Sequence, residues 1–205
     1  SRFGMGTDAA DFNNDQRPDV FVADMLPHDN YRQKLLRGPD EYDKYTLLRD
    51  SGYHHQNMRN VLQVSIGSNE QRTPRFSEIG QLAGVSSTDW SWAPLFVDFD
   101  NDGWKDLFIT NGYLQDYTNL DFLKYTFENY RAKALKDGVP MDTVTLIKEM
   151  PATSLSNFCF RNSHNLKFED VSSSWGFDAR SVSGGAAVAD LDNDGDQDLV
   201  VNNLN

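Results

Sequence analysis

The chain has 205 residues, 39% of them hydrophobic and 12% aromatic, which is the composition of a globular protein with a sizeable core and excludes a disordered tail. Acidic residues outnumber basic ones by 31 to 19, and the net charge of −12 argues against nucleic acid as a partner, because phosphate binding needs clustered lysine and arginine. No apolar run approaches the roughly 20 residues of a transmembrane segment, and the single cysteine, Cys159, excludes an intrachain disulfide and is expected to be a buried strand residue.

The first acidic loop, 11–19, lies between two predicted strands. The segment before it, 4–10, is small and apolar, and the run Val20–Val22 after it favours a strand. From residue 30 to about 51 the pattern predicts two short helices. Gly38 and Pro39 separate them, and Asp40 is the predicted N-cap of the second helix.

The strands and the acidic loop then recur twice, and a second set of helices follows the second loop. Strands are predicted at Asn60–Val64, Arg75–Ile79 and 92–97, followed by the second acidic loop, 98–106, and the strand Leu107–Thr110. Helices are predicted from Thr118 to Asp137, where Gly138 ends the apolar periodicity, and from Asp142 to Glu149. The last elements are strands at Asn157–Phe160, Lys167–Val171 and 184–189, the third acidic loop, 190–198, and the strand Leu199–Val201.

This recurrence is an internal repeat. Shifting the chain by 92 residues superimposes Phe76 on Phe168, Asp98 on Asp190 and Leu107 on Leu199, and an earlier copy begins at Asp11. Four short strands per unit are the content of a propeller blade. We therefore predict an all-β fold, a β-propeller fragment of four-stranded antiparallel blades with helical insertions.

The predicted domain boundaries follow the loops and the insertions. They are the end of one blade with its loop at 1–29, a helical insertion at 30–56, a blade with the second loop at 57–117, a second helical insertion at 118–152, and a blade with the third loop at 153–205.

Each acidic loop alternates its oxygen-bearing residues. Side-chain oxygens stand at loop positions 1, 3, 5 and 9, and position 7 offers a backbone carbonyl, so that alternate residues face one ion. Calcium takes about six to eight oxygen ligands, and a divalent cation relieves the repulsion between packed carboxylates. The predicted ligands of up to three calcium ions are Asp11, Asn13, Asp15, Arg17 and Asp19; Asp98, Asp100, Asp102, Trp104 and Asp106; and Asp190, Asp192, Asp194, Asp196 and Asp198.

Three alternatives to this calcium site differ in the residues that they require. An EF-hand needs a glutamate at position 12, where this chain has Val22, Ile109 and Val201, and it needs flanking helices instead of strands. Magnesium prefers few carboxylates and keeps its waters. Plain solvated turns are the remaining alternative. The first loop departs most from the pattern, because Asn13 replaces an acid, Gln16 replaces glycine and Arg17 adds a positive charge, so we expect it to bind calcium most weakly.

The residues resemble those of the FG-GAP or VCBS repeat proteins, whose blades carry a D-x-D-x-D-G-x-x-D loop. The likeness is greatest at Phe168–Val171, Gly176 and Gly184–Leu199, which are similar to the bacterial branch often joined to an ASPIC/UnbV module. This resemblance implies a calcium-stabilised, integrin-like propeller that is exported to the extracellular space or a cell surface, with the bacterial outer membrane or periplasm possible. It also implies that the remaining blades belong to a longer chain.

Three functions follow as hypotheses. The first is a non-catalytic module in which calcium fixes the blades and the aromatic-rich insertions bind a protein or a glycan. The second is a polysaccharide lyase, for which the candidate base and charge neutraliser are His54, His55 and Arg59. The third is a structural subunit of an outer-membrane assembly, docked through the insertions.

Overall fold

The structure is a computed structural model, and it describes residues 1–36 and 42–204. The chain forms antiparallel β-sheets, and its helices are confined to two insertions between strands. This agrees with the predicted all-β class.

The first sheet has four antiparallel strands in the order of the sequence. They are β1 (Thr7–Ala10), β2 (Asp19–Val22), β3 (Val61–Ser68) and β4 (Pro74–Glu78). A first insertion separates β2 from β3. It contains α1 (Asn30–Leu35), which Asp29 caps, and α2 (Tyr42–Asp50). The predicted break at Gly38-Pro39 and the predicted cap Asp40 lie outside the described residues.

The second sheet repeats this plan. Its four strands are β5 (Ser91–Val97), β6 (Asp106–Asn111), β8 (Phe158–Asn162) and β9 (Phe168–Asp170), again antiparallel and in sequence order. The second insertion, between β6 and β8, holds a π-helix (Phe122–Phe127), α3 (Glu128–Asp137) and α4 (Thr143–Lys148). Gly138 ends α3 with a φ of 65°, as the sequence predicts.

The last two sheets have two strands each. In the larger one, β11 (Ser183–Ala189) pairs with β12 (Asp198–Asn203), and both lie 92 residues after β5 and β6, which matches the repeat. In the smaller one, β7 (Leu155–Ser156) pairs with β10 (Arg180–Ser181).

The observed sheets group the strands differently from the predicted blade boundaries. The range 57–117 contains β3 and β4 of the first sheet together with β5 and β6 of the second. The helical insertions do not separate sheets, because each one connects the second and third strands of a single sheet. Each acidic loop therefore joins the first two strands of its sheet, and the natural units are 7–78, 91–170 and 183–203.

The core lies between consecutive sheets. Leu107 and Ile109 of β6 pack with Phe21 and Leu62 of the first sheet, and the intervening Phe108 packs towards Leu199 of the third sheet. Alternate side chains of β6 thus enter two different cores, and all six of its residues are buried. Cys159 joins the second of these cores, and burial raises the pKa of its thiol to about 12.

Because consecutive strands of each four-stranded sheet are antiparallel, their connections alternate between the two ends of the strands. The β1–β2 and β5–β6 loops and the β3–β4 and β8–β9 turns lie at one end of the strands, whereas both insertions leave from the other end. A bridge between Leu36 and Asn119 joins the two insertions to each other. We call these the loop end and the insertion end.

Candidate metal centres

The three acidic loops adopt one backbone conformation. Position 4 is asparagine in every loop, with φ values of 56°, 56° and 61° at Asn14, Asn101 and Asn193. Position 6 is also left-handed, at Gly103 and Gly195 and, in the first loop, at Gln16 with a φ of 67°. Because this region favours glycine, the Gln16 backbone is strained.

The first aspartate of each loop organises this turn. Asp11 accepts hydrogen bonds from the backbone N–H groups of Asp15 and Gln16 at 2.9 and 2.7 Å. Asp98 accepts the corresponding bonds from Asp102 and Gly103 at 3.0 and 2.9 Å. In the third loop, Asp190 accepts from Gly195 at 3.1 Å. The sequence repeat is therefore a repeat of loop structure.

The second loop gathers three carboxylates. Asp98, Asp100 and Asp106 each place one oxygen within 4.8 Å of the others, a group that could hold a metal ion. Asp106 is 1% exposed and accepts N–H bonds from Phe99 and Asn162 at 3.1 and 2.9 Å. Burial raises the pKa of Asp106 to about 6, and the neighbouring carboxylates add to the rise.

The fourth predicted side-chain ligand of this loop, Asp102, has other partners. Its Oδ1 accepts the N–H of Trp104 at 2.9 Å, and its Oδ2 lies 2.9 Å from His164 Nε2. The hydrogen bond from Trp104 and the neighbouring His164 lower the pKa of Asp102. The His164 ring also stacks on Trp104, with ring centroids 4.5 Å apart.

Two side chains from the β8–β9 hairpin contact carboxylates of the second loop. Besides His164, Arg161 places its Nε 3.0 Å from Asp100 Oδ2. Sequence reasoning found no partner for His164, although the pairing of β8 with β6 places the β8–β9 turn at the loop end. That topology is the signal that could have identified it.

The third loop gathers a different set. Asp190, Asp192 and Asp194 bring one oxygen each within 4.8 Å of one another. The remaining predicted side-chain ligand, Asp198, lies outside this group and accepts the N–H of Leu191 at 2.8 Å, as Asp106 accepts that of Phe99 in the second loop. Asp190 Oδ1 is buried and has no hydrogen-bond partner in the described part of the chain. A buried oxygen of this kind suits a cation, since leaving it unpaired is costly.

The first loop brings no such acidic trio together within the described residues. Asn13 takes the place of an acid, and Arg17 lies 3.9 Å from Asp15. Asp19 is nonetheless fully buried: Oδ1 accepts the Ser65 N–H at 2.8 Å, whereas Oδ2 has no partner among the described residues. Burial raises the pKa of Asp19. The first loop offers the oxygen ligands that calcium prefers, but it has fewer carboxylates than the other two loops. The positive charge of Arg17 also partly cancels the negative charge of Asp15.

Asparagine side chains link one loop to the next. Asn14 Nδ2 donates to the carbonyl of Gly103 at 3.1 Å, and Asn101 Nδ2 donates to Asp196 Oδ1 at 2.6 Å. A further bond joins the sheets themselves, since Phe96 N–H donates to Asp8 Oδ2 at 2.7 Å. The three loops form one hydrogen-bonded row at the loop end.

The candidate lyase residues lie in the segment between α2 and β3. His54 and His55 are exposed on the first insertion with ring centroids 5.8 Å apart, and His55 Nδ1 is hydrogen-bonded to the Tyr45 hydroxyl. Arg59 forms an ion pair with Glu78 at 2.7 Å.

No model of a protein family matches the chain, and no curated protein matches it. Within residues 1–36 and 42–204, none of the helices combines the length and hydropathy needed to cross a bilayer.

Proposed function

We propose that this chain is a non-catalytic, calcium-binding β-propeller module of an exported or cell-surface protein, which binds a protein or glycan at its insertion end. One observation carries the proposal: three loops repeat the same turn, and two of them gather three carboxylate oxygens within 4.8 Å. Calcium would be held by Asp98, Asp100 and Asp106 in the second loop. In the third loop, Asp190, Asp192 and Asp194 would hold it.

The position of the loops supports a stabilising role for the ion. The loops lie at one end of the strands, and the insertions lie at the other. A cation at the loop end would fix consecutive sheets through the asparagine links without contacting a ligand at the insertion end. The insertions also expose apolar side chains, including Tyr31, Leu135 and Val144 at 70%, 75% and 63%. Insertions on a repeat scaffold are common binding surfaces.

The repeat also supports the propeller arrangement. Phe108 is fully buried between the second and third sheets, and its counterpart 92 residues later, Val200, is 54% exposed on the third sheet. The first strands β1, β5 and β11 lie beside one another in succession. We infer that another sheet of the same kind packs over Val200, as the third sheet packs over Phe108.

Calorimetric titration with calcium tests the proposal. We expect saturable binding to the wild-type chain, with loss of one site in Asp98→Asn and of another in Asp190→Asn. A matched control is Asp137→Asn, at the exposed end of α3, which should leave the binding isotherm unchanged. Equal binding of magnesium, or no difference between the loop variants and the control, would contradict it.

A further inference from the structure

Two cavities open side by side at the insertion end. The first has a volume of about 430 Å³ and lies between α1, the ends of β5 and β6, and the β7–β10 pair. The second has a volume of about 370 Å³ and lies between α1, the π-helix and the segment after α4. Tyr31 lines both cavities. Volumes in this range suit small-molecule ligands, and the shared residue makes the two cavities neighbouring subsites.

The floor of the first cavity is preformed. Arg32 makes two bonds to Asp89, at 2.6 and 3.1 Å, and the side chains of both residues are largely buried. Asn111 is fully buried, accepts from Ser91 at 2.7 Å and donates to the Ser156 carbonyl at 3.0 Å. Because these side chains already have hydrogen-bond partners within the protein, they form a rigid floor. A ligand would therefore be recognised by the side chains above the floor.

The side chains above the floor include an exposed cation, Arg180. Arg180 lines the first cavity and is exposed, and no carboxylate in the described residues forms an ion pair with it. Of the two carboxylates in the lining, Asp89 is paired with Arg32, and Asp29 caps α1 by accepting N–H bonds from Tyr31 and Arg32. In a chain of net charge −12, a guanidinium that forms no ion pair within residues 1–36 and 42–204 marks a place where a carboxylate can bind bidentately.

Aromatic faces flank this cation and continue into the second cavity. Tyr31 is 70% exposed between the two cavities, and Tyr125 is 67% exposed in the second. The His28 ring lies against Phe158 in the first cavity, with centroids 5.9 Å apart. Exposed tyrosines present a flat apolar face and a hydroxyl, which together suit a sugar ring.

We propose that these two cavities bind an acidic oligosaccharide. Arg180 pairs with the carboxylate of a uronic acid unit in the first cavity, and Tyr31 stacks on the next ring. In the second cavity Tyr125 packs against a further unit, whose hydroxyls donate hydrogen bonds to the carboxylates of Asp121 and Glu149. This proposal rests on the proposed function and names its ligand class. A glycan is favoured over an acidic peptide because both subsites combine an exposed tyrosine with polar groups, and because the cation serves only one of them.

The test is calorimetric titration of the calcium-loaded chain with a hexuronic acid disaccharide, the tetrasaccharide and a neutral glucose tetrasaccharide. We expect the uronates to bind and the neutral sugar to bind much more weakly. Arg180→Gln should lower uronate affinity about 10- to 100-fold, since hydrogen bonds to charged groups are strong. Tyr31→Ala should weaken the tetrasaccharide more than the disaccharide, and Tyr31→Phe should restore most of the loss.

Arg75→Gln is the matched control, because it removes the same charge from an exposed position on β4. The proposal is overturned if the uronates fail to bind, if the neutral sugar binds equally well, or if Arg75→Gln loses as much affinity as Arg180→Gln. A melting curve with and without calcium accompanies each titration. If calcium raises the melting temperature but no uronate binds, the glycan proposal fails alone; if calcium has no effect, the proposed function itself fails.

Discussion

Arg32 joins three parts of the molecule, and its removal tests the buried charge cluster at the insertion end. The side chain forms a bidentate pair with Asp89 and lies 3.7 Å from Asp116, so it connects the first insertion to the segment before β5 and to the second insertion. The Arg32 side chain is 13% exposed, and those of Asp89 and Asp116 are 7% and 1% exposed. Burial lowers the pKa of Arg32, but the hydrogen bonds and charge of Asp89 outweigh this and raise it overall.

Substitution of Arg32 by methionine keeps the length and helix propensity of the side chain but leaves two buried carboxylates without their cation. Removing one partner of a buried pair costs about 3–5 kcal/mol. For a chain of this size the melting temperature should fall by about 6–20 °C. Because this loss of stability comes from burying two unpaired carboxylates, it should not change with added salt. The contribution of a surface ion pair, in contrast, would fall as salt is added.

Urea and thermal unfolding of Arg32→Met, measured beside Arg131→Met, provide the assay. Arg131 pairs with Glu128 at 3.5 Å on the exposed face of α3, where both side chains are more than half exposed, and its loss should change stability little. The double variant Arg32→Met/Asp89→Asn should recover part of the deficit. If Arg32→Met is as stable as Arg131→Met, the cluster does not hold the insertions and the reasoning is wrong.

Three further predictions concern the loops. Gln16→Gly should relieve the strain of a left-handed backbone and raise the free energy of unfolding by about 1 kcal/mol, measured as a higher melting temperature. The control Gln81→Gly lies at an exposed turn position without a positive φ and should not raise the melting temperature. Asn101→Ala removes the link to Asp196 and should weaken calcium binding in calorimetry several-fold more than Asn193→Ala, which lacks an inter-loop bond within the described residues. In calcium-free buffer, urea midpoints should fall as pH rises from about 4 to 6, because the raised pKa of Asp106 favours its neutral form in the folded state, and Asp106→Asn should flatten this slope.

Local features of the fold could be predicted from the sequence because they repeat. The 92-residue offset located β5 and β6 against β11 and β12, and the turn chemistry of the loops recurs in the structure. Strand pairing could not be read in the same way. An insertion such as 118–152 looks like a boundary in the sequence, whereas the pairing of β6 with β8 across it depends on hydrogen bonds between distant residues.

The residues that make up each candidate site could not all be identified from the sequence alone. Spacing assigned the same four side chains in every loop, but the carboxylate group of the second loop leaves out Asp102, which has His164 as a partner, and that of the third loop leaves out Asp198. The contact of Asp102 with His164 joins residues 62 positions apart, which the spacing within one loop does not encode. The Arg32 cluster was missed for the same reason, since 57 residues separate Arg32 from Asp89.

Thermal unfolding of the chain in calcium, in magnesium and in chelator tests calcium binding by the loops most directly. At calcium 100-fold above its dissociation constant, each occupied site should add about 2.7 kcal/mol. We predict a rise in melting temperature that is specific to calcium, is reduced in Asp100→Ala and in Asp192→Ala, and differs little between these variants and the wild type in chelator. No response to any ion, or equal losses in calcium and in chelator, would contradict the metal assignment.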